Sequence, residues 1–209
     1  MRGLNNFTGR FRSRGQRSLT ERQFQAFTKE LSEDTMTNPN AIYAKFEDLE
    51  EQLAHCYFTL HERFAANPEL AAFWGDAAWE EMQYCSILRY CREQGLRADA
   101  TVNINTANHV AELLATVKRV VRNPGVTVDE AFSVSLLMES SELDDAYEKL
   151  TRPLASHHRA LFEAIHASMR SHHDKFADGA TEFSANKAYA EAFRAFARAD
   201  KRAWERTAP

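Results

Sequence analysis

The chain has 209 residues, 44% hydrophobic and 11% aromatic, enough to bury one sizeable core in a single domain with tails. Seven glycines and five prolines are too few for a turn-rich all-β protein, and no run of about 18 apolar residues is present to span a membrane. The net charge of −4 is uneven: residues 1–20 carry five arginines and no acid, residues 186–209 carry six bases against three acids, and the body between is therefore at −12.

In chain order, residues 1–37 read as a basic arm. A stretch bearing Arg2, Arg10, Arg12, Arg14 and Arg17 among Ser and Gly cannot bury enough apolar surface to fold alone. Leu4, Phe7 and Phe11 fall at i, i+3 and i+7, so residues 1–35 suit docking on a protein partner with an acidic surface and a hydrophobic groove. The arm lacks the apolar centre of a secretory signal, although its Arg-rich, acid-free character overlaps with organelle transit peptides.

From Asn38-Pro39 a long amphipathic helix is predicted over about 40–66, with Phe46, Leu49, Leu53, Tyr57, Leu60 and Phe64 at steps of three and four. Asn67-Pro68 starts a second, whose stripe includes Leu70, Trp74, Ala77, Ala78, Glu81, Cys85 and Leu88, and Gly95 closes it. These two should form an antiparallel hairpin. A shorter helix over about 107–122 follows, then a Thr127-Val128-Asp129-Glu130 capping box opens a third long helix over about 128–151. A fourth is predicted over about 153–177 on the stripe Leu154, His158, Leu161, Ile165, Met169, His172 and Phe176, with Gly179 just past its end. The C-terminal region, 180–209, carries a last basic amphipathic helix near 186–205. The expected architecture over 38–179 is all-α: an antiparallel four-helix bundle of two hairpins joined by a long crossover.

Three carboxylates break these apolar stripes. Glu50, Glu81 and Glu139 stand at core positions of three different helices, and an ionised carboxylate out of water costs several kcal/mol unless it is paired or bound to metal. In a helix bundle the usual solution is a shared metal site. The neighbouring Glu80 reads as a solvated face residue. His61, His109, His157 and His158 read as surface or cap histidines, and Glu163-Ala-Ile-His166 as a decoy, because Glu163 lies off the stripe.

At these positions the chain resembles the ferritin-like superfamily, nearest to rubrerythrin-type domains, over roughly residues 40–178. Glu50 with Tyr57 one heptad on, the Phe-Trp-x-x-Ala-x-x-Glu-Glu pattern ending at Glu81, and Leu-Leu-Met-Glu139-Ser-Ser-Glu-Leu resemble three of the family's contributions to a dimetal centre. The resemblance implies two iron or manganese ions held by a Glu from each of two helices and a Glu-x-x-His from each of the others. This chain departs from that set: Tyr84 stands where the first histidine belongs, and Met169 or Arg170 where the second glutamate belongs, according to whether His172 or His173 points inward. Glu142, at i+3 from Glu139, and Tyr84 are the available replacements, so the candidate metal residues are Glu50, Glu81, Glu139, Glu142, His172, His173 and Tyr84.

Two functions follow as expectations. The first is a ferritin-like, non-haem metal protein engaged in iron oxidation or in oxygen and peroxide handling. The second is a metal-free accessory or scaffold subunit docked on a larger complex by its basic arms, with a homodimer also open. The odd number of cysteines, Cys56, Cys85 and Cys91, without a CxxC pair, points to free core thiols in a reducing, cytoplasmic setting and leaves no ligands for an appended rubredoxin-like centre. Nucleic acid would meet an acidic body, leaving only the arms for contact.

Overall fold

The computed structural model describes residues 39–141 and 143–207, with side chains over 40–141 and 143–199. The expectations for the arm of residues 1–37, and for Glu142 as a ligand, lie outside the described residues. Those residues are all helical, without a strand, and no helix among them is long and apolar enough to cross a membrane. The helices are α1 (Pro39–Arg63), α2 (Pro68–Glu93), α3 (Ile104–Val121), α4 (Val128–Glu139), α5 (Leu143–Thr151), α6 (Leu154–His157), α7 (Arg159–Phe183) and α8 (Lys187–Thr207).

The punctuation residues act as their chemistry dictates at the first hairpin. Asn67 accepts a hydrogen bond from the Leu70 amide at 3.2 Å with Pro68 at the first helical position, so α2 starts where an orphan amide is satisfied. At its other end Gly95 takes φ +64°, and the Leu96 amide reaches the Cys91 carbonyl at 3.1 Å while Gly95 reaches Arg92 at 3.0 Å. This is a Schellman closure that needs the left-handed residue. Among the described helices the most extensive packing is between α1 and α2, with α3 laid against α1. Glu47 locks the pair through Arg92 at 2.6 and 3.0 Å. The three cysteines are buried free thiols, and burial raises Cys56 and Cys91 each to about 11.

The third predicted helix is in fact two. Thr127 and Glu130 form the capping box, but α4 ends at Glu139, and after Ser140 and Ser141 the chain restarts as α5. Ser141 accepts the Leu143 amide on its hydroxyl at 3.2 Å, so a serine that competes for backbone donors caps the new helix instead of continuing the old one. The fourth predicted helix is also split, at His158, whose φ of −145° and ψ of 64° leave helical space.

Beyond that break α7 runs through Gly179 to Phe183, so Gly179 is a close-packing residue and not a stop. A Cβ there would run into the Phe73 ring, which only glycine admits. The buried face of α7 keeps Ile165, His172 and Phe176 of the predicted stripe but extends to one side of it. Phe162, His166 and His173 are inside, whereas Leu161 is 39% exposed.

The expected second hairpin is altered as well, since the most extensive partner of α7 is α8. Phe193 sits 5.2 Å from Phe176 and Phe196 lies 6.2 Å from His173, ring centre to ring centre, so the first half of α8 turns these two rings onto α7. Asp129 holds the turn between them by accepting from the Ser184 hydroxyl at 2.6 Å and the Ala185 amide at 3.0 Å. Within the core Tyr57, Phe73, Trp74, Phe132 and Phe176 form a continuous aromatic cluster with ring centres 4.9 to 6.1 Å apart.

Candidate metal centre

Directly against this aromatic cluster the acidic residues meet. Glu50 on α1, Glu81 on α2, Glu139 at the end of α4, and both His172 and His173 on α7 are buried. The His172 Nε2 is 3.4 Å from Glu81 Oε1 and 3.4 Å from Glu139 Oε2. The His173 Nε2 is 3.4 Å from Glu139 Oε2 and 3.0 Å from Asp144 Oδ2. Two triads result, Glu81–Glu139–His172 and Glu139–Asp144–His173, each with ligand atoms within 4.8 Å of one another and with Glu139 common to both. Glu50 completes the inner triad through a hydrogen bond to the Glu81 carboxyl.

The surroundings fix these groups in place. Tyr57 donates its hydroxyl hydrogen bond to Glu139 Oε1 at 2.9 Å, leaving Oε2 for the histidines. The His172 Nδ1 is bonded to Glu80 Oε2 at 2.7 Å, and Glu80 is in turn paired with Lys175. Glu80 is therefore not the solvated residue expected. It is only 9% exposed, because the hairpin and α7 close over it and because it orients His172. With Nδ1 engaged, the buried Nε2 has no hydrogen-bond partner and looks into the gap between two carboxylates. One Glu50 oxygen is likewise buried without a donor.

Four carboxylates in so small a volume shift one another's protonation. Burial and then the neighbouring Glu81 drive Glu50 well above the usual carboxylate range. Burial lifts Glu81 to about 8 although His172 pulls the other way. Burial would also raise Glu139, but the adjacent His172 and His173 override it and hold this carboxyl well below the ordinary range. Burial opposes charge on His172, yet the Glu139 carboxylate beside it carries the ring up to about 9. The cluster thus holds protons wherever no other cation neutralises it.

Of the residues expected from sequence, Glu50, Glu81, Glu139, His172 and His173 come together. Tyr84 stands beside them with its ring edge-on to His172 at 5.9 Å, and burial keeps its phenol protonated far above the usual range. Asp144 was missed. In an unbroken helix its five-residue offset from Glu139 amounts to about 140° of rotation, which would aim it elsewhere. The break at Ser140-Ser141 brings it round, and that serine pair was the available signal. The adjacent histidines are not alternatives, since about 100° of helical rotation sends each to a different side of Glu139.

The remaining histidines lie outside the triads. His61 is bonded to the Ala71 carbonyl at 2.8 Å and His158 to the Tyr90 hydroxyl at 3.0 Å, while His109 and His157 are exposed. Glu163 is exposed and paired with Arg159 at 3.0 Å, so Glu163-Ala-Ile-His166 supplies no joint site. His166 itself is buried, and burial, then Arg170, lower its pKa to about 4, leaving the ring neutral. No family model matches the chain, and no curated protein or solved structure matches it either.

Proposed function

We propose that the chain is a ferritin-like, rubrerythrin-type protein that holds two iron or manganese ions and serves iron oxidation or the handling of oxygen or peroxide. The observation that carries the reading is the His172 Nε2, buried, without a hydrogen bond, and 3.4 Å from a carboxylate oxygen on either side. A charge-assisted hydrogen bond in so tight a cluster closes to about 2.7–2.9 Å. Two ligand atoms sharing an ion at about 2.1 Å stand about 3.0 Å apart at an octahedral angle and about 3.4 Å apart at a tetrahedral one, so the spacing found is within what one ion spans. Charge supports the same count. Glu50, Glu81, Glu139 and Asp144 balance two divalent cations if both imidazoles are neutral, and Glu80 is compensated separately by Lys175.

The inner position would be held by Glu50, Glu81 and His172, the outer by Asp144 and His173, with Glu139 shared. The chemistry such ions supply is one-electron cycling between divalent and trivalent states. The side chains do the rest. Glu80 holds the tautomer of His172, Tyr57 fixes the orientation of Glu139, and the Glu50–Glu81 pair, which shares a proton in the ion-free protein, would release it to make way for the inner ion.

Elemental analysis tests this reading. Purified protein should carry about two ions per chain, Glu81→Ala about one, and Glu139→Ala fewer than one because both positions lose a ligand. Wild type without metal after reconstitution with ferrous or manganous salt would refute it and leave the metal-free accessory subunit.

A further inference from the structure

We infer that the pocket between α1 and α3 binds a small, hydroxyl-bearing phosphate monoester, at a site independent of the ion centre. The pocket has a volume of about 280 Å³ and lies against the buried Cys56 thiol. Gln52, His55 and Thr59 face it from α1, and Lys118, Val121 and Arg122 from the end of α3. No carboxylate lines it, although the body of the protein is strongly acidic. At about 30 Å³ per water this is room for about nine waters, more than the four oxygens of a bare phosphate take up.

The lining charges select the ligand class. The charged groups that act on the Cys56 sulfur are Lys118 and Arg122, both cationic, whereas Glu51, one turn away on α1, acts on Cys85 instead. Lys118 and Arg122 stand at i and i+4 on one face of the helix, with Cβ atoms about 5–6 Å apart. Neither has an ion pair among the described residues: Lys118 donates to Gln52 Oε1 across the pocket. The Arg122 carbonyl, which would repel an anion, is covered by the Arg63 guanidinium at 3.2 Å. Two cations therefore meet one dianionic phosphate group, which a guanidinium fork matches in shape. Gln52, with its oxygen held by Lys118, keeps its amide NH2 as a further donor. The other wall accepts hydrogen bonds. His55 Nδ1 donates to the Glu51 carbonyl at 2.7 Å and the Thr59 hydroxyl to the His55 carbonyl at 2.8 Å, so the neutral ring's Nε2 and the Thr59 oxygen are left as acceptors. These suit hydroxyl groups on the substituent that the phosphate carries.

The test is calorimetric titration of the full chain in a low-salt buffer free of phosphate, with glycerol 3-phosphate, inorganic phosphate and glycerol as separate titrants. Glycerol 3-phosphate should bind saturably, inorganic phosphate should compete for the same site more weakly, and glycerol should give no binding heat. Lys118→Met and Arg122→Met should each weaken glycerol 3-phosphate at least about tenfold, and Arg122→Lys should weaken it less. Both methionine variants keep the arginines of residues 1–20, so a general attraction of anions to the chain would survive in them. Thr59→Val should weaken glycerol 3-phosphate and leave inorganic phosphate unchanged. Arg122 is exposed, so Arg122→Met carries the test if Lys118→Met lowers the melting temperature. Heat that does not saturate, or an affinity unaltered in Arg122→Met, overturns the site. Inorganic phosphate bound as tightly as the monoester overturns the ligand class.

Discussion

Glu80→Ala separates a metal-binding His172 from a merely buried one. The substitution removes the 2.7 Å partner of His172 Nδ1 and the pairing of Lys175, but it replaces none of the six proposed ligands. The ring then loses the contact that holds Nε2 between Glu81 and Glu139. Outer partners of this kind change metal affinity by about 10–100-fold, or about 1.4–2.8 kcal/mol at about 1.4 kcal/mol per factor of ten. The loss should fall on one ion, so a calorimetric titration with manganese(II) or cobalt(II) should resolve one weakened step and one nearly unchanged. Glu80→Gln keeps a carbonyl acceptor for Nδ1–H and should recover part of the loss. Lys175 has a side chain 53% exposed, and Lys175→Ala should shift affinity little because water screens that pair. Unchanged affinity at both steps in Glu80→Ala would refute the orienting role of Glu80, and with it the assignment of His172 as a ligand.

Three further outcomes follow from the geometry. Gly179→Ala, which in an exposed helix would gain up to about 1 kcal/mol, should instead destabilise by about 1–3 kcal/mol through its collision with Phe73, and Phe73→Leu should restore most of that in urea unfolding. Tyr57→Phe leaves Glu139 Oε1 without its donor and should lower stability by about 1.5–3 kcal/mol by the same assay, with loss of less than about 0.5 kcal/mol counting against the bond. The ion-free protein should melt at a lower temperature at pH 9 than at pH 6. Glu81, raised to about 8, contributes its stability in the protonated form and loses it as pH rises through that value. His172, raised to about 9, contributes fully below its ordinary value of about 6.5 and loses that stability as pH rises through 9. Added manganese should protect progressively more over the same interval, because the ions displace those protons. A pH-independent melting temperature across 6–9 would contradict the shifts.

The all-helical class, the first hairpin and three of the site acids were legible in the residues because each rests on something local. Asn67-Pro68 and Gly95 satisfy or end a helix with their own backbones, and Glu50, Glu81 and Glu139 betray themselves by standing on apolar stripes whatever the stripes pack against. What failed depended on neighbours distant in sequence. Periodicity could not show that α4 stops at Glu139, since Phe132 and Glu139 before the break and Leu143, Ala146 and Leu150 after it are all buried, and so it hid Asp144. Glu80 looked solvated until α7 closed over it, and Gly179 looked like a terminator until the Phe73 ring took the space of its missing Cβ. The stripe chosen for α7 was right at Ile165, His172 and Phe176 but took Leu161 for Phe162, because the two are equally apolar. Only packing against α8 and the acidic cluster decided that Phe162, His166 and His173 turn inward while Leu161 meets water. A repeat of 3.6 residues establishes that a helix has a buried face, but the partners that bury it determine which side chains reach a common point, and a shared ion site exists only at such a point.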